Sequence, residues 1–189
     1  MGSLQLAVVL VLIGQVVAGG TVRSLFDFSS PGAAGRWQAV NDGVMGGVSD
    51  GKFRITPEGT LEFFGTLSLE NNGGFTSVRT KPADLGLRPG DSLVVRVRGD
   101  GREYMVNAYP KNARMAFSYR APLPTIAGEW TDVVIPLADF VPTSFGRVVQ
   151  GAGPLNPADI NSLGIMLSDK QPGKFRLDVE SMMIQPGGK

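Results

Sequence analysis

Cysteine and histidine are both missing from these 189 residues. Without cysteine no disulfide contributes, even in an oxidising compartment, so packing alone must hold the fold. Without histidine the Ser-His-Asp and Cys-His catalytic arrangements are excluded, and the two absences together remove the usual zinc ligands. No cofactor and no metal site is expected. A structural calcium ion would need a loop dense in oxygen ligands, and no loop here is of that kind. Net charge is scarce as well: 18 basic residues against 17 acidic ones leave +1. No general field recruits nucleic acid or anionic lipid, so nucleic acid is excluded as a partner. Long helical periodicity is also absent, apart from single turns at Leu137 to Phe140 and Pro157 to Ser162.

The first twenty residues lack any charged side chain. Leu4 to Val17 is a nearly unbroken apolar run followed by Ala18-Gly19-Gly20, the outline of a secretory leader and shorter than the ~20 residues that span a bilayer comfortably. Residues 1–20 read as a signal peptide or a short anchor, and 21–189 as one β-sandwich domain. The expected location is extracytoplasmic, secreted or periplasmic, with membrane contact only if the leader is retained uncleaved. The export pattern is imperfect, since no Lys or Arg precedes the apolar run; a mitochondrial leader, for its part, is amphipathic and Arg-rich, and here the first arginine is Arg23, after the run has ended.

What the chain does have is 26 glycines and 13 prolines spread among short apolar runs. That spacing predicts an all-β fold of many short strands, arranged as a two-sheet jelly-roll sandwich. The segment Ser92 to Tyr109 alternates apolar and polar residues on both sides of Asp100-Gly101, which predicts a hairpin. In that register Val97 faces Tyr104, Val95 faces Val106 and Leu93 faces Ala108 on an inner face. Arg96, Met105, Asn107 and Tyr109 then share the outer face. A second hairpin is expected from Leu61 to Thr80 around Asn72-Gly73-Gly74, with further strands at Trp130 to Ile135, Leu163 to Leu167 and Phe175 to Ile184.

Several motifs admit two readings. Gly46 to Lys52 imitates a phosphate-binding loop, but Phe53 stands where a magnesium-binding Ser or Thr belongs. Arg98-Gly99-Asp100 is accounted for as a strand end and turn. The glycine-rich stretch Trp37 to Ser49 is either a structural loop or a recognition surface containing Trp37, Asn41, Asp42 and Met45. The same choice holds for Asn72 and Phe75. Arg79 and Arg96 are guanidinium groups on strands, costly to bury unless a carboxylate or a ligand pairs them.

Asn41-Asp42-Gly43-Val44-Met45-Gly46-Gly47-Val48-Ser49, Asn71-Asn72-Gly73-Gly74-Phe75 and Arg98-Gly99-Asp100-Gly101-Arg102-Glu103-Tyr104 resemble blocks of the complex I (NADH:ubiquinone oxidoreductase) intermediate-associated protein family. Trp130 with Ile135-Pro136-Leu137-Ala138-Asp139-Phe140, and Ser168-Asp169-Lys170-Gln171-Pro172-Gly173-Lys174-Phe175, are similar to its closing blocks. The resemblance runs from about Leu25 to Ile184. It implies a galactose-binding-like jelly roll without known catalysis, related in architecture to carbohydrate-binding modules. The family's best-studied members are mitochondrial assembly factors that act through protein contacts. Two departures stand out: the leader, and Ala121-Pro122-Leu123-Pro124, where the family pattern carries an aromatic that Tyr119 nearby partly replaces.

The expectation is a monomeric, non-catalytic binding module with a protein assembly client. Its surface includes Trp37, Asn41, Asp42, Met45, Asn72, Phe75, Arg79, Arg96, Asn107 and Tyr109. The alternatives are a secreted carbohydrate-binding module and, further off, a two-carboxylate glycosidase.

Overall fold

A computed structural model describes residues 20–111 and 116–188. In chain order its strands are β1 (Arg23–Phe26), β2 (Trp37–Asn41), β3 (Asp50–Ile55), β4 (Leu61–Leu67), β5 (Thr76–Thr80), β6 (Ser92–Arg98), β7 (Glu103–Pro110), β8 (Phe117–Pro124), β9 (Trp130–Pro136), β10 (Val141–Ser144), β11 (Arg147–Val148), β12 (Ile160–Leu167) and β13 (Gly173–Gln185). They form two antiparallel sheets. The first runs β3-β4-β13-β6-β9, with β1 pairing Met182 to Ile184 of β13 beyond the end of β4. The second runs β11-β10-β8-β7-β12-β5-β2.

The inner faces are built from every second residue of each strand, as alternation requires. Leu61, Phe63, Leu93, Val95, Val97, Leu177 and Val179 from the first sheet meet Val78, Tyr104, Val106, Ala121, Leu123, Leu163 and Ile165 from the second, all of them buried. Each fully buried aliphatic or aromatic side chain contributes roughly 1.5–3 kcal/mol relative to exposure. Phe63, Phe175 and Tyr104 add an edge-to-face aromatic cluster, with the Phe63 and Phe175 centroids 4.9 Å apart. The Tyr104 hydroxyl donates to Asp100 at 3.2 Å, and burial pushes its ionisation well above the ordinary range.

The two expected hairpins are corrected. Leu93, Val95, Val97, Tyr104, Val106 and Ala108 do all face the core. Their strands, however, lie in different sheets: β6 sits between β13 and β9, and β7 between β12 and β8. Likewise β4 pairs with β3 and β13, while β5 pairs with β2 and β12. Alternation identifies which side chains point inward. It says nothing of whether two successive strands share a sheet or face each other across the core. The turn over Leu137–Asp139 is a 3₁₀ turn as expected, whereas the second covers only Pro157–Asp159 before the chain enters β12.

The connections β2–β3, β4–β5, β6–β7, β8–β9 and β12–β13 all cross from one sheet to the other. The pairs Asn41 with Thr76, Thr76 with Leu167, Met166 with Met105 and Glu103 with Pro124 place these crossings at the same end of the sandwich.

Candidate binding face

The motif blocks form clamps at that end. Asp42, 0% exposed, accepts the Ser49 N–H at 3.0 Å, the Ser49 hydroxyl at 2.6 Å, and the Gly74 and Phe75 N–H groups at 2.7 and 3.3 Å. Burial alone would raise its pKa, but the Ser49 hydroxyl and the three N–H donors hold it below the ordinary carboxylate value. Glycines flank it because nothing larger fits. A Cβ on Gly73 would stand 2.7 Å from Asp42 Oδ2, and one on Gly47 would run into the same carboxyl. Asn41 donates to the Gly51 carbonyl at 3.0 Å and accepts from Thr76 at 2.5 Å. At the next crossing Arg102 forks onto Asp169 at 2.8 and 2.7 Å and also donates to the Gln171 and Lys174 carbonyls, tying β6–β7 to β12–β13.

On the outer face of the first sheet the guanidinium groups are paired with acids. Glu62 and Asp178 are register partners, and every carboxyl oxygen is taken. Arg54 binds Glu62 Oε2, and Arg176 reaches Glu62 Oε1 at 3.1 Å and Asp178 Oδ1 at 3.2 Å. Arg98 holds Asp178 Oδ2 at 2.8 Å. Arg96 lies beside Glu180 at 2.6 Å and Asp132 at 3.4 Å, and both Arg96 and Arg98 cover the Trp130 ring. Each guanidinium in this network has its acid.

The outer face of the second sheet differs. Strand pairing places Gln38, Arg79, Gly164, Asn107, Arg120 and Val141 in one row across β2, β5, β12, β7, β8 and β10. Among the described residues no carboxylate lies within ion-pair distance of Arg79 or Arg120. Each donates its Nε to the serine two residues before it, Arg79 to Ser77 at 3.0 Å and Arg120 to Ser118 at 3.4 Å. Arg79 crosses over Gly164 and stacks on Tyr109, its guanidinium carbon 4.7 Å from the ring centroid. A Cβ on Gly164 would meet Arg79 Cγ at 3.0 Å and Tyr109 Cε2 at 3.2 Å, so the glycine makes room for that crossing.

Between the two arginines Asn107 is 0% exposed, and among the described residues neither Oδ1 nor Nδ2 has a hydrogen-bond partner; the buried Tyr109 hydroxyl also has none there. Such groups are uncommon and each unpaired one costs about 1–3 kcal/mol. Burial lowers the proton affinity of Arg120, and the like charge of Arg79 lowers it further against the opposing influence of Tyr109. Burial raises the Tyr109 hydroxyl, with Arg79, Arg120 and the neighbouring Asn107 amide pulling it back; that amide is near enough to act on the hydroxyl but not in hydrogen-bonding geometry with it.

The expected site residues therefore divide. Arg79, Asn107 and Tyr109 come together. Arg96 does not join them, since it lies on the opposite sheet, so the single face expected to hold Arg96 with Asn107 and Tyr109 is corrected. Trp37 is 4% exposed and packs on Phe26 and Phe28 in the core. Asn41 and Asp42 are consumed in the clamp. Met45, 52% exposed, and Asn72 stand on the loops around that clamp, and Phe75 is partly buried beside it. Sequence reading missed Arg120 and Gly164. The signal available was the repeated Ser-x-Arg of Ser77-Val78-Arg79 and Ser118-Tyr119-Arg120.

Residues 26–179 match the family model of Complex I intermediate-associated protein 30. The chain is 26% identical to the mitochondrial Complex I intermediate-associated protein 30 of Drosophila melanogaster over 88% of its own length and 64% of the relative's. For the Mus musculus protein of the same name the identity is 27%, covering 84% of this chain and 54% of that one. The chain thus spans between about half and two thirds of the length of these relatives. In fold it is similar to a Family 11 Carbohydrate-Binding Module from a cellulosomal cellulase of Clostridium thermocellum, with TM-score 0.61 and 17% identity over 90% of this chain and 97% of that one. Part of an agarase is also similar, with TM-score 0.62 and 13% identity over 88% of this chain and 24% of that one. These likenesses establish the jelly-roll sandwich.

The expected extracytoplasmic location is overturned, because these relatives, and that of Neurospora crassa, are named mitochondrial. The export reading rested on hydropathy and small residues in a segment outside the described residues. The missing basic flank before the apolar run was the physical feature that spoke against it. The five motif blocks and the matched span agree: this chain belongs to the Complex I intermediate-associated protein 30 family.

Proposed function

We propose that the chain is a non-catalytic binding module that acts through protein contacts in the assembly of respiratory complex I, with the outer face of the second sheet as its contact surface. Family membership and the names of the relatives support the role. The observation that carries the choice of face is the asymmetry of charge pairing. Arg54, Arg96, Arg98 and Arg176 on the first sheet are neutralised in place, whereas Arg79 and Arg120 on the second await acids.

A glycan would need an open aromatic platform. Tyr109 is the aromatic of this face, and Arg79 already occupies its ring. Two-carboxylate glycoside chemistry needs free carboxyl oxygens, and the facing Glu62 and Asp178 have none to give. The test is affinity capture of tagged protein from mitochondria of its own host, comparing wild type, an Arg79→Gln/Arg120→Gln double variant and Arg96→Gln. Complex I subunits are expected with wild type and Arg96→Gln and depleted with the double variant. Recovery of no complex I subunit above an untagged control refutes the role, and equal recovery with all three refutes the face.

A further inference from the structure

We propose that the centre of the second sheet's outer face is an oxyanion site, taking one carboxylate or phosphate group between Arg79 and Arg120, with the Asn107 amide as its floor. The proposal deepens the reading of this face as a contact surface and rests on it. Its test uses the isolated chain, so a missing client and a missing anion site give different results.

Three independent observations converge. The first is charge: two guanidiniums on one register row have no carboxylate within ion-pair distance among the described residues, and residues 112–115, which close the β7–β8 connection, contain no acid. On the strand positions of this face the one carboxylate is Glu103, four residues along β7 from Asn107 and so ~13 Å away. The second is hydrogen bonding: Asn107 Nδ2 and Oδ1 and the Tyr109 hydroxyl are buried without hydrogen-bond partners among the described residues, on adjacent outward positions of one strand. An oxyanion accepts from Nδ2 and from the hydroxyl, leaving only Oδ1 for water or an arginine N–H.

The third is steric. Gly164 leaves the floor bare beside Asn107, which lets Arg79 lean from β5 across β12 to the Tyr109 ring, onto the strand that neighbours Arg120. Ser77 and Ser118 each hold the Nε of their arginine, which steers both forks while leaving the Nη ends unengaged by protein acids. Burial and the like charge of Arg79 both act against the charged form of Arg120 in the absence of a counterion. Bidentate guanidinium recognition is what carboxylate and phosphate geometry suits.

The experiment titrates the free, full chain with sodium glutarate and, separately, sodium phosphate. Sodium chloride at matched ionic strength is the blank, and the readouts are the side-chain NMR signals of Asn107 and of the arginine Nε–H groups. Expected is saturable movement of the Asn107 amide and of the Arg79 and Arg120 signals with at least one oxyanion. The tighter of the two then identifies whether an acidic side chain or a phosphorylated group is the natural source. Arg79→Gln and Arg120→Gln are expected to weaken that binding roughly tenfold or more, and Arg96→Gln to leave it unchanged. Arg120→Lys keeps the charge and loses the fork, so it serves if the glutamine variant fails to fold, and it too is expected to weaken binding. If neither anion moves Asn107 more than chloride does, the buried amide holds water only and the proposal is overturned. Equal weakening by Arg96→Gln overturns it too, because the effect is then unspecific screening.

Discussion

Removing the Asp42 carboxylate measures how much of this fold depends on its motif clamp. In Asp42→Ala four donors lose their acceptor: the Ser49 N–H and hydroxyl and the N–H groups of Gly74 and Phe75. Each buried donor left unsatisfied costs about 1–3 kcal/mol, and because all four share one centre their sum is not additive; about 3–5 kcal/mol is expected. That is a large share of the ~5–15 kcal/mol by which domains of this kind are stable. Asp42→Asn is milder. Oδ2 accepts from three donors and Oδ1 from one, so the amide oxygen takes the three-donor position and the amide NH₂ faces the Ser49 N–H, at a cost of about 2 kcal/mol. Urea unfolding followed by tryptophan fluorescence reads both, since Trp37 leaves the core on unfolding. An Asp42→Ala midpoint corresponding to less than about 1 kcal/mol of loss would show that the loops hold together without the carboxylate.

Acid titration tests the same group from another side. Its folded proton affinity lies below the ordinary value of 3.8, so its stabilisation is complete above that pH and is lost as pH falls through the folded value. The stability gap between wild type and Asp42→Asn is therefore expected to narrow below pH 3.8, and a constant gap would refute the assignment. Arg102→Lys replaces a partly buried fork on Asp169 by a single ammonium and is expected to lower stability by about 1–2 kcal/mol in the same urea assay. Gly47→Ala drives a methyl into the Asp42 carboxyl and is expected to cost about 2 kcal/mol or more, an effect that should shrink in an Asp42→Ala background. Arg96→Gln, whose side chain and acid partners are all well exposed, should change stability by less than about 1 kcal/mol.

Much of the site was legible one residue at a time. Arg79, Asn107 and Tyr109 are outward positions on strands whose alternation is plain in the sequence, and their polar character on a sheet face marks them. Arg120 was not, because it lies just before Ala121-Pro122-Leu123-Pro124, a stretch that attracts notice only for the aromatic it lacks. The Asn41 and Asp42 block was legible as a block but not in its role. Glycine-rich turns with asparagine and aspartate look alike whether they recognise a ligand or brace two loops, and only the buried acceptor geometry at Asp42 decides for bracing.

Amino-acid order alone determined the strand-rich class, the inward set Leu93, Val95, Val97, Tyr104, Val106 and Ala108, and the family, since side-chain period and motif spacing are local properties of a chain. The partner strand of each segment is not local. Tertiary structure decided that β6 and β7 face each other across the core instead of pairing, which sent Arg96 to a sheet where acids neutralise it and left Asn107 and Tyr109 on the sheet that gathers Arg79 with Arg120. Charge pairing depends on neighbours contributed by strands far apart in sequence. Only the folded arrangement separates the paired arginines of the first sheet from Arg79 and Arg120, which have no carboxylate within ion-pair distance among the described residues.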